Sequence, residues 1–238
     1  PMSEITPIEF IGLTKSFGSS QAVKSLTAKV ERGRITGFFG PNGAGKSTSL
    51  RCLLGLADAT SGEALIDGKP YAELVDPLHK VGAILDSRGF NGGLSGRKNL
   101  KIVAAAGGIA DSRVDEVLAL VELSDAADRK TKGYSLGMMQ RLSLAGALLG
   151  DPEILVLDEP GNGLDPIGIA WLRSFLRKLA DEGRTILVSS HQLAEMQHTV
   201  DDVLVMNQGE LVAAGKIAAV QGGLSLEEAF LKIVMAKK

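Results

Sequence analysis

The stretch Arg34-Ile35-Thr36-Gly37-Phe38-Phe39-Gly40-Pro41-Asn42-Gly43-Ala44-Gly45-Lys46-Ser47-Thr48 decides the fold class. Residues 34–39 are apolar nearly throughout, the pattern of a short strand covered on both faces. Residues 46–56 take up a helical pattern directly after a Gly-rich turn. Between strand and helix, residues 40–48 fit G-x-x-x-x-G-K-[ST], a spelling that carries physical meaning only in that setting. There the glycines let backbone N–H groups curl around phosphate oxygens, and the helix N-terminus adds its positive dipole end. Lys46 is placed to reach the β and γ phosphates of a nucleotide and Ser47 to ligate magnesium, with Asn42, Gly43, Ala44, Gly45 and Thr48 completing the cradle. A Gly-rich turn with a solvated lysine is the plainer reading, and it leaves the strand-turn-helix setting unexplained.

Working outward, residues 81–85, 153–157 and 185–189 share the apolar character of the first run. Helical patterns lie between and beyond them, at 112–122, 136–149, 166–181 and 226–234, the third opening on Pro166. This alternation predicts an α/β fold with a mostly parallel sheet. Two segments break it. Residues 8–67 hold Gly-bounded strands such as 63–66, and within 203–213 the triplet Asn207-Gln208-Gly209 reads as a hairpin turn. Both suggest an antiparallel edge added to the parallel sheet. Residues 87–149 contain helices and glycines but no convincing strand, which reads as a helical insertion carried on the core.

The chain has 238 residues, 45% of them hydrophobic and 23% charged, so it can bury a full core and is neither disordered nor a disulfide mini-scaffold. A net charge of −2 with 4% aromatic residues offers no basic face and few base-stacking platforms, which argues against direct nucleic-acid binding. Cys52 stands alone, which excludes an intrachain disulfide, points to a reducing cytosol and reads as a small core residue. The longest apolar stretches, 102–110 and 144–150, fall short of the ~20 residues of a membrane span, and the first residues do not spell a secretion signal.

The second apolar run, Ile154-Leu155-Val156-Leu157, ends in Asp158-Glu159-Pro160. Carboxylates at the carboxyl end of a parallel strand lie in the crevice where α/β sheets bind ligands. Asp158 can hold magnesium, and Glu159, one residue beyond the metal ligand, suits the polarisation of an attacking water at a γ-phosphate. Taken alone, the same residues form a solvated acidic loop. The two motifs together still admit a GTPase or a kinase.

A third motif separates these. Tyr134-Ser135-Leu136-Gly137-Met138-Met139-Gln140-Arg141 opens a helix just before the Asp158 strand and resembles the signature segment of ATP-binding cassette (ABC) proteins. The resemblance runs over nearly the whole chain: residues 40–48, the signature, Leu157-Asp158-Glu159-Pro160, Asn162-Gly163-Leu164-Asp165-Pro166 and Ser189-Ser190-His191 stand in the family's order. It implies a single ABC ATPase domain with a P-loop NTPase core. Residues 1–86 and 150–215 would form that core with an antiparallel β subdomain, 87–149 a helical subdomain carrying the signature, and 216–238 a C-terminal tail.

The resemblance also implies an ATPase, using ATP and Mg2+, that closes as a head-to-tail pair. Each nucleotide is then bound by one subunit's phosphate loop and capped by Ser135 and Gly137 of the other. Asp165 would take the crossing-loop role between subunits, and His191 that of the switch histidine sensing the γ-phosphate. By themselves Ser135 is an ordinary helix cap and Asp165 a helix N-terminal aspartate. Phe17 resembles the aromatic that stacks on adenine, with Val23 as a second apolar contact; a core aromatic is the alternative.

Two departures matter. Asp86 stands where the family usually has a glutamine, and it is expected to keep a magnesium-contacting role through a shorter, charged arm. Leu136 and Met138 replace a glycine and a glutamine of the signature. Both features, with the tail Leu226-Glu227-Glu228-Ala229-Phe230-Leu231, resemble the branch that exports drugs, antibiotics or lipid-like substrates. The expected partners are a separate transmembrane permease, contacted around Arg88, Phe90 and Leu94, and a second ATPase subunit forming a homodimer in the ATP-bound state. That places the chain in the cytoplasm, peripheral on the inner face of the cell membrane. The alternative is a soluble ABC ATPase acting on a ribosome or DNA, although such proteins usually join two cassettes or insert a coiled coil.

Overall fold

The computed structural model describes residues 5–85 and 89–237. Along the chain, β1 (Ile8–Phe17), β2 (Ser20–Val30) and β3 (Ile35–Phe39) lead through the Gly-rich loop into α1 (Lys46–Leu53). Next come β4 (Ser61–Ile66), a short α2 (Pro77–Lys80) and β5 (Val81–Ile84), then the helices α3 (Gly96–Ala106), α4 (Asp111–Leu120) and α5 (Leu136–Leu148). The chain then runs through β6 (Ile154–Leu157), α6 (Pro166–Asp181), β7 (Thr185–Ser190), α7 (Leu193–Met196), β8 (Asp202–Asn207), β9 (Glu210–Lys216), α8 (Ile217–Gln221) and α9 (Leu226–Ala236).

Six strands form the main sheet in the order β5-β6-β7-β3-β8-β9. The first five are parallel, and β9 adds antiparallel to β8. Their apolar runs are continuous because each residue has a core to enter on either face. Ile35, Phe39, Leu155, Leu157, Ile186 and Val188 pack with the helices α3 to α6 on one side. Phe38, Ile154, Val156 and Leu187 pack with α1 and the β1/β2 side on the other. In α6, Ile169, Leu172, Phe175, Leu176, Leu179 and Ala180 bury one helical stripe while Asp165 caps the N-terminus.

The antiparallel addition comes in two parts rather than as one edge. β9 extends the main sheet through a turn in which Gln208 and Gly209 both have positive φ, the hairpin geometry anticipated at Asn207-Gln208-Gly209. β2, β1 and β4 instead form their own three-stranded sheet. Sequence alternation identifies strands but not which sheet receives them, because pairing is long-range. Other boundaries shift by a few residues: α1 stops at Leu53, where the Gly55 and Leu56 amides turn back to the Cys52 and Arg51 carbonyls. Cys52 is buried in the core, and burial pushes its thiol pKa up, so it is an inert packing residue.

Parallel pairing has one consequence for chemistry. The carboxyl ends of β6, β7 and β3, three adjacent strands, all open on the same edge of the sheet.

Candidate active site

Gly45 closes the Gly-rich loop at φ 105 as the N-cap of α1 and brings no capping side chain, so the first amides of the helix have no side-chain partner there. A Cβ at Gly45 would stand 2.5 Å from the Ala22 carbonyl oxygen, so only glycine lets the loop seat this closely on β2. The β8–β9 turn pins the same loop: the Gly209 N–H donates to the Ala44 carbonyl at 2.9 Å, and the Lys24 N–H to the Gly209 carbonyl at 2.8 Å. Lys46 is buried, its Nζ donating to the carbonyls of Gly40 at 2.5 Å and Pro41 at 3.1 Å. Burial pushes its ammonium below the ordinary lysine range, against the opposing pull of Glu159 and Asp158. A buried cation beneath uncapped helix amides, in a cradle that a Cβ would fill, is complementary to phosphate.

Across the cleft stand the residues that follow β6 and β7. Ser189 Oγ donates to Asp158 Oδ1 at 2.5 Å and accepts the Glu159 N–H at 2.9 Å, so one hydroxyl fixes both acidic residues. Glu159 takes a left-handed φ of 50, which costs a non-glycine residue about 1–2 kcal/mol. In that conformation its carboxylate lines the cleft, and the His191 Nδ1–H donates to Glu159 Oε2 at 2.9 Å. The cleft measures about 410 Å3 and brings Asn42, Lys46, Ser47 and Thr48 together with Glu159 and His191.

Ser47 and Asp158 supply hard oxygen donors. Among the described residues no group of three or more His, Cys, Asp or Glu could form an all-protein metal cage. That donor set suits magnesium, which keeps waters and takes phosphate oxygens alongside one or two protein ligands.

Ser135, Gly137 and Asp165 lie together in a second cleft of about 520 Å3, which shares no lining residue with the first. Ser135 Oγ accepts the Met138 N–H at 3.2 Å, and Asp165 Oδ1 accepts the Gly168 N–H at 2.7 Å. Both are therefore true helix caps, of α5 and α6, as their plainest readings require. Beside them Leu136 and Ile167 are exposed, Ile167 to 78%.

The remaining sequence expectations divide. Phe17 is 58% exposed at the end of β1 with Lys15 Nζ 5.1 Å over its ring, so it is not a core aromatic. Val23 is corrected: it is fully buried in the core beneath the Gly45 backbone, and its neighbour Ala22 lines the cleft instead. Strand alternation alone cannot tell which of two neighbours faces a ligand when both are small and apolar. Asp86 and Arg88 lie outside the described residues. Phe90 lines an apolar groove of about 290 Å3 with Leu85, Val103 and Ile109; Leu94 does not line it, and its carbonyl accepts the Thr131 N–H at 2.9 Å. Sequence reasoning assigned no role to Asn162, which lines the first cleft, or to Ser189, whose bonds span about thirty residues of chain. The signal for Ser189 is a hydroxyl directly after the apolar run 186–188, near the end of a buried strand.

The profile of the ABC transporter family matches residues 23–162. The bacitracin transport ATP-binding protein BcrA of Enterococcus faecalis is 44% identical over 208 residues, 86% of this chain and 68% of its own. The lantibiotic transport ATP-binding protein SrtF of Streptococcus pyogenes is 35% identical over 226 residues, 95% of this chain and 96% of its own. A solved ATP-binding subunit of an ABC transporter aligns with a TM-score of 0.85 at 25% identity, covering 96% of this chain and all of that one. With five motifs in order, a phosphate-binding cleft at the carboxyl edge of a parallel sheet, and these relatives, the chain belongs to the ABC transporter family, as one of its ATPases.

Proposed function

We propose that the chain is the ATP-hydrolysing subunit of an exporter, acting with a separate membrane-spanning permease and pairing with a second copy of itself when ATP is bound. The observation that carries this reading is the division of labour between the two clefts. One sets the buried Lys46 against Glu159 and His191; the other presents two capped helix N-termini beside exposed apolar residues. A head-to-tail pair joins one cleft of each kind around each nucleotide.

In that arrangement the phosphate loop amides and Lys46 bind the β and γ phosphates of ATP, and Phe17 offers an exposed face to the adenine. Ser47 and Asp158 would hold magnesium, which would offset the negative charge of the phosphates. Glu159 accepts a hydrogen bond from the attacking water and orients it for in-line displacement. His191 holds that carboxylate in place, and its position across from the phosphate loop suits contact with the γ-phosphate. Ser135 and Gly137 cap the partner's nucleotide, and Asp165 lies at the crossing between subunits.

Among the described residues no helix is long and apolar enough to cross a membrane, and the transport ATP-binding relatives support a permease partner. The groove beside Phe90, with Leu85, Val103 and Ile109, offers an apolar place for a side chain of that permease to dock. The bacitracin and lantibiotic transport relatives support an antibiotic-type cargo. The test is Glu159→Gln: ATP binding is retained, turnover falls by about 10²–10⁴-fold, and an ATP-dependent dimer accumulates on size exclusion. Unchanged turnover would remove Glu159 from catalysis, and monomers at saturating ATP would end self-pairing.

A further inference from the structure

Trp171, the chain's only tryptophan, stands on α6, six residues beyond its cap Asp165. Arg141 stands on α5, six residues beyond its cap Ser135. The two side chains meet, the Arg141 guanidinium lying 4.1 Å from the Trp171 ring centroid, and Phe175 stacks on the indole at 4.8 Å. One carboxylate joins them: Glu122 Oε2 accepts the indole N–H at 2.7 Å and an Arg141 N–H at 2.9 Å.

The position of Glu122 in the chain makes this contact unusual. The Glu122 N–H bonds to Ala119 and the Leu123 N–H to Leu118, so Glu122 holds the left-handed position that ends α4, with φ 60. That position favours glycine, and any other residue carries a backbone cost there. The carboxylate is 64% exposed, so its ion pair is screened and adds little to folding stability. A residue that is costly for its backbone and weak as a salt bridge is explained by direction instead: it fastens two helices to each other.

We infer that Glu122, Arg141 and Trp171 form a positioning latch that sets the spacing between the Ser135 and Asp165 ends of α5 and α6. The two anchors lie equally far along their helices, about 9 Å from each cap, so fastening them fixes how the two caps are presented to the partner's nucleotide. The inference rests on the ATPase reading above. Residues of the phosphate cleft take no part in the latch.

The test compares Glu122→Gly with Glu122→Gln in the full chain, following Mg-ATP turnover, KM for ATP, melting temperature and Trp171 emission. Glycine suits φ 60, so Glu122→Gly keeps the fold and the melting temperature. It is expected to lower kcat about tenfold with KM unchanged, and to shift Trp171 emission to the red as the indole loses its partners. Glutamine can accept both donors without the charge, and is expected to restore kcat to within about threefold of the original. Wild-type kcat in Glu122→Gly, a loss that tracks the melting temperature, or a loss that Glu122→Gln does not reduce would each overturn the latch. A wild-type chain without hydrolysis would instead overturn the ATPase reading, and the emission shift would still report whether Glu122 holds the indole.

Discussion

The phosphate cleft and the signature cleft both begin at a helix N-terminus, and they differ in what the terminus is left to do. At α1 the cap is Gly45, which offers no side chain, so the first helix amides lack a side-chain cap beside the buried Lys46. At α5 and α6 the caps are Ser135 and Asp165, whose side chains already satisfy an amide, and the charge nearby is exposed and paired. The first cleft sets the buried cation opposite Glu159 and His191. The second has two capped helix ends, the carboxylates of Glu122, Asp125 and Asp165, and exposed apolar surface. The helix end is thus left without a side-chain cap at α1 and is already bonded by a side chain at α5 and α6.

The comparison breaks most sharply at Lys46. Lys46→Ala removes the buried cation and is expected to lower turnover by about 10²–10³-fold or more, measured as phosphate release. A variant that turned over normally would reduce the first cleft to a structural loop. Next in size is a mixing experiment between Lys46→Ala and Ser135→Arg chains, each expected to be nearly inactive alone. In a head-to-tail pair, half of random dimers are mixed and each has one intact composite site, so equimolar mixing should restore about a quarter of the original turnover. If mixing restores nothing, the two clefts do not complete each other across a dimer.

The pH dependence of binding sharpens the electrostatic side. In the unliganded chain Lys46 binds its proton less tightly than an ordinary lysine of pKa 10.5, so between the lowered value and 10.5 the unfolded chain carries more proton. The contribution of this group to stability therefore rises as pH climbs through that window. Phosphate anions oppose the shift, so nucleotide binding takes up a proton there and affinity falls by up to about tenfold per pH unit. Calorimetry in two buffers of different ionisation enthalpy measures the uptake, and none at alkaline pH would mean the charge is not engaged. The smallest effect is expected at the rim: Phe17→Ala should weaken ATP binding about tenfold, with turnover at saturating ATP unchanged.

How much of this was legible follows the range of each interaction. The Gly40–Thr48 loop, the Asp158-Glu159 pair and His191 could be read because each sits at the end of an apolar run, and parallel strands bring such ends to one edge. Val23 was misread because Ala22 and Val23 are adjacent, small and apolar, and only the packing of the loop chose between them. Ser189 was visible as a letter but not as the hydroxyl that bridges two acidic residues just beyond the neighbouring strand. The separation of β1, β2 and β4 into their own sheet was equally hidden, since the same alternation serves either partner.

The sequence by itself therefore determined the class of fold, the family and the strand-loop-helix setting of residues 40–48, and it singled out Asp158 and Glu159 at the end of an apolar run. Those rest on local patterns, where spacing along the chain equals spacing in space. Only the tertiary structure decided that the signature and crossing residues occupy a cleft apart from Lys46, and that Glu122 binds Arg141 and Trp171 together. These contacts join residues 19 and 49 positions apart, and their geometry is set by how whole helices pack rather than by any neighbour in the chain.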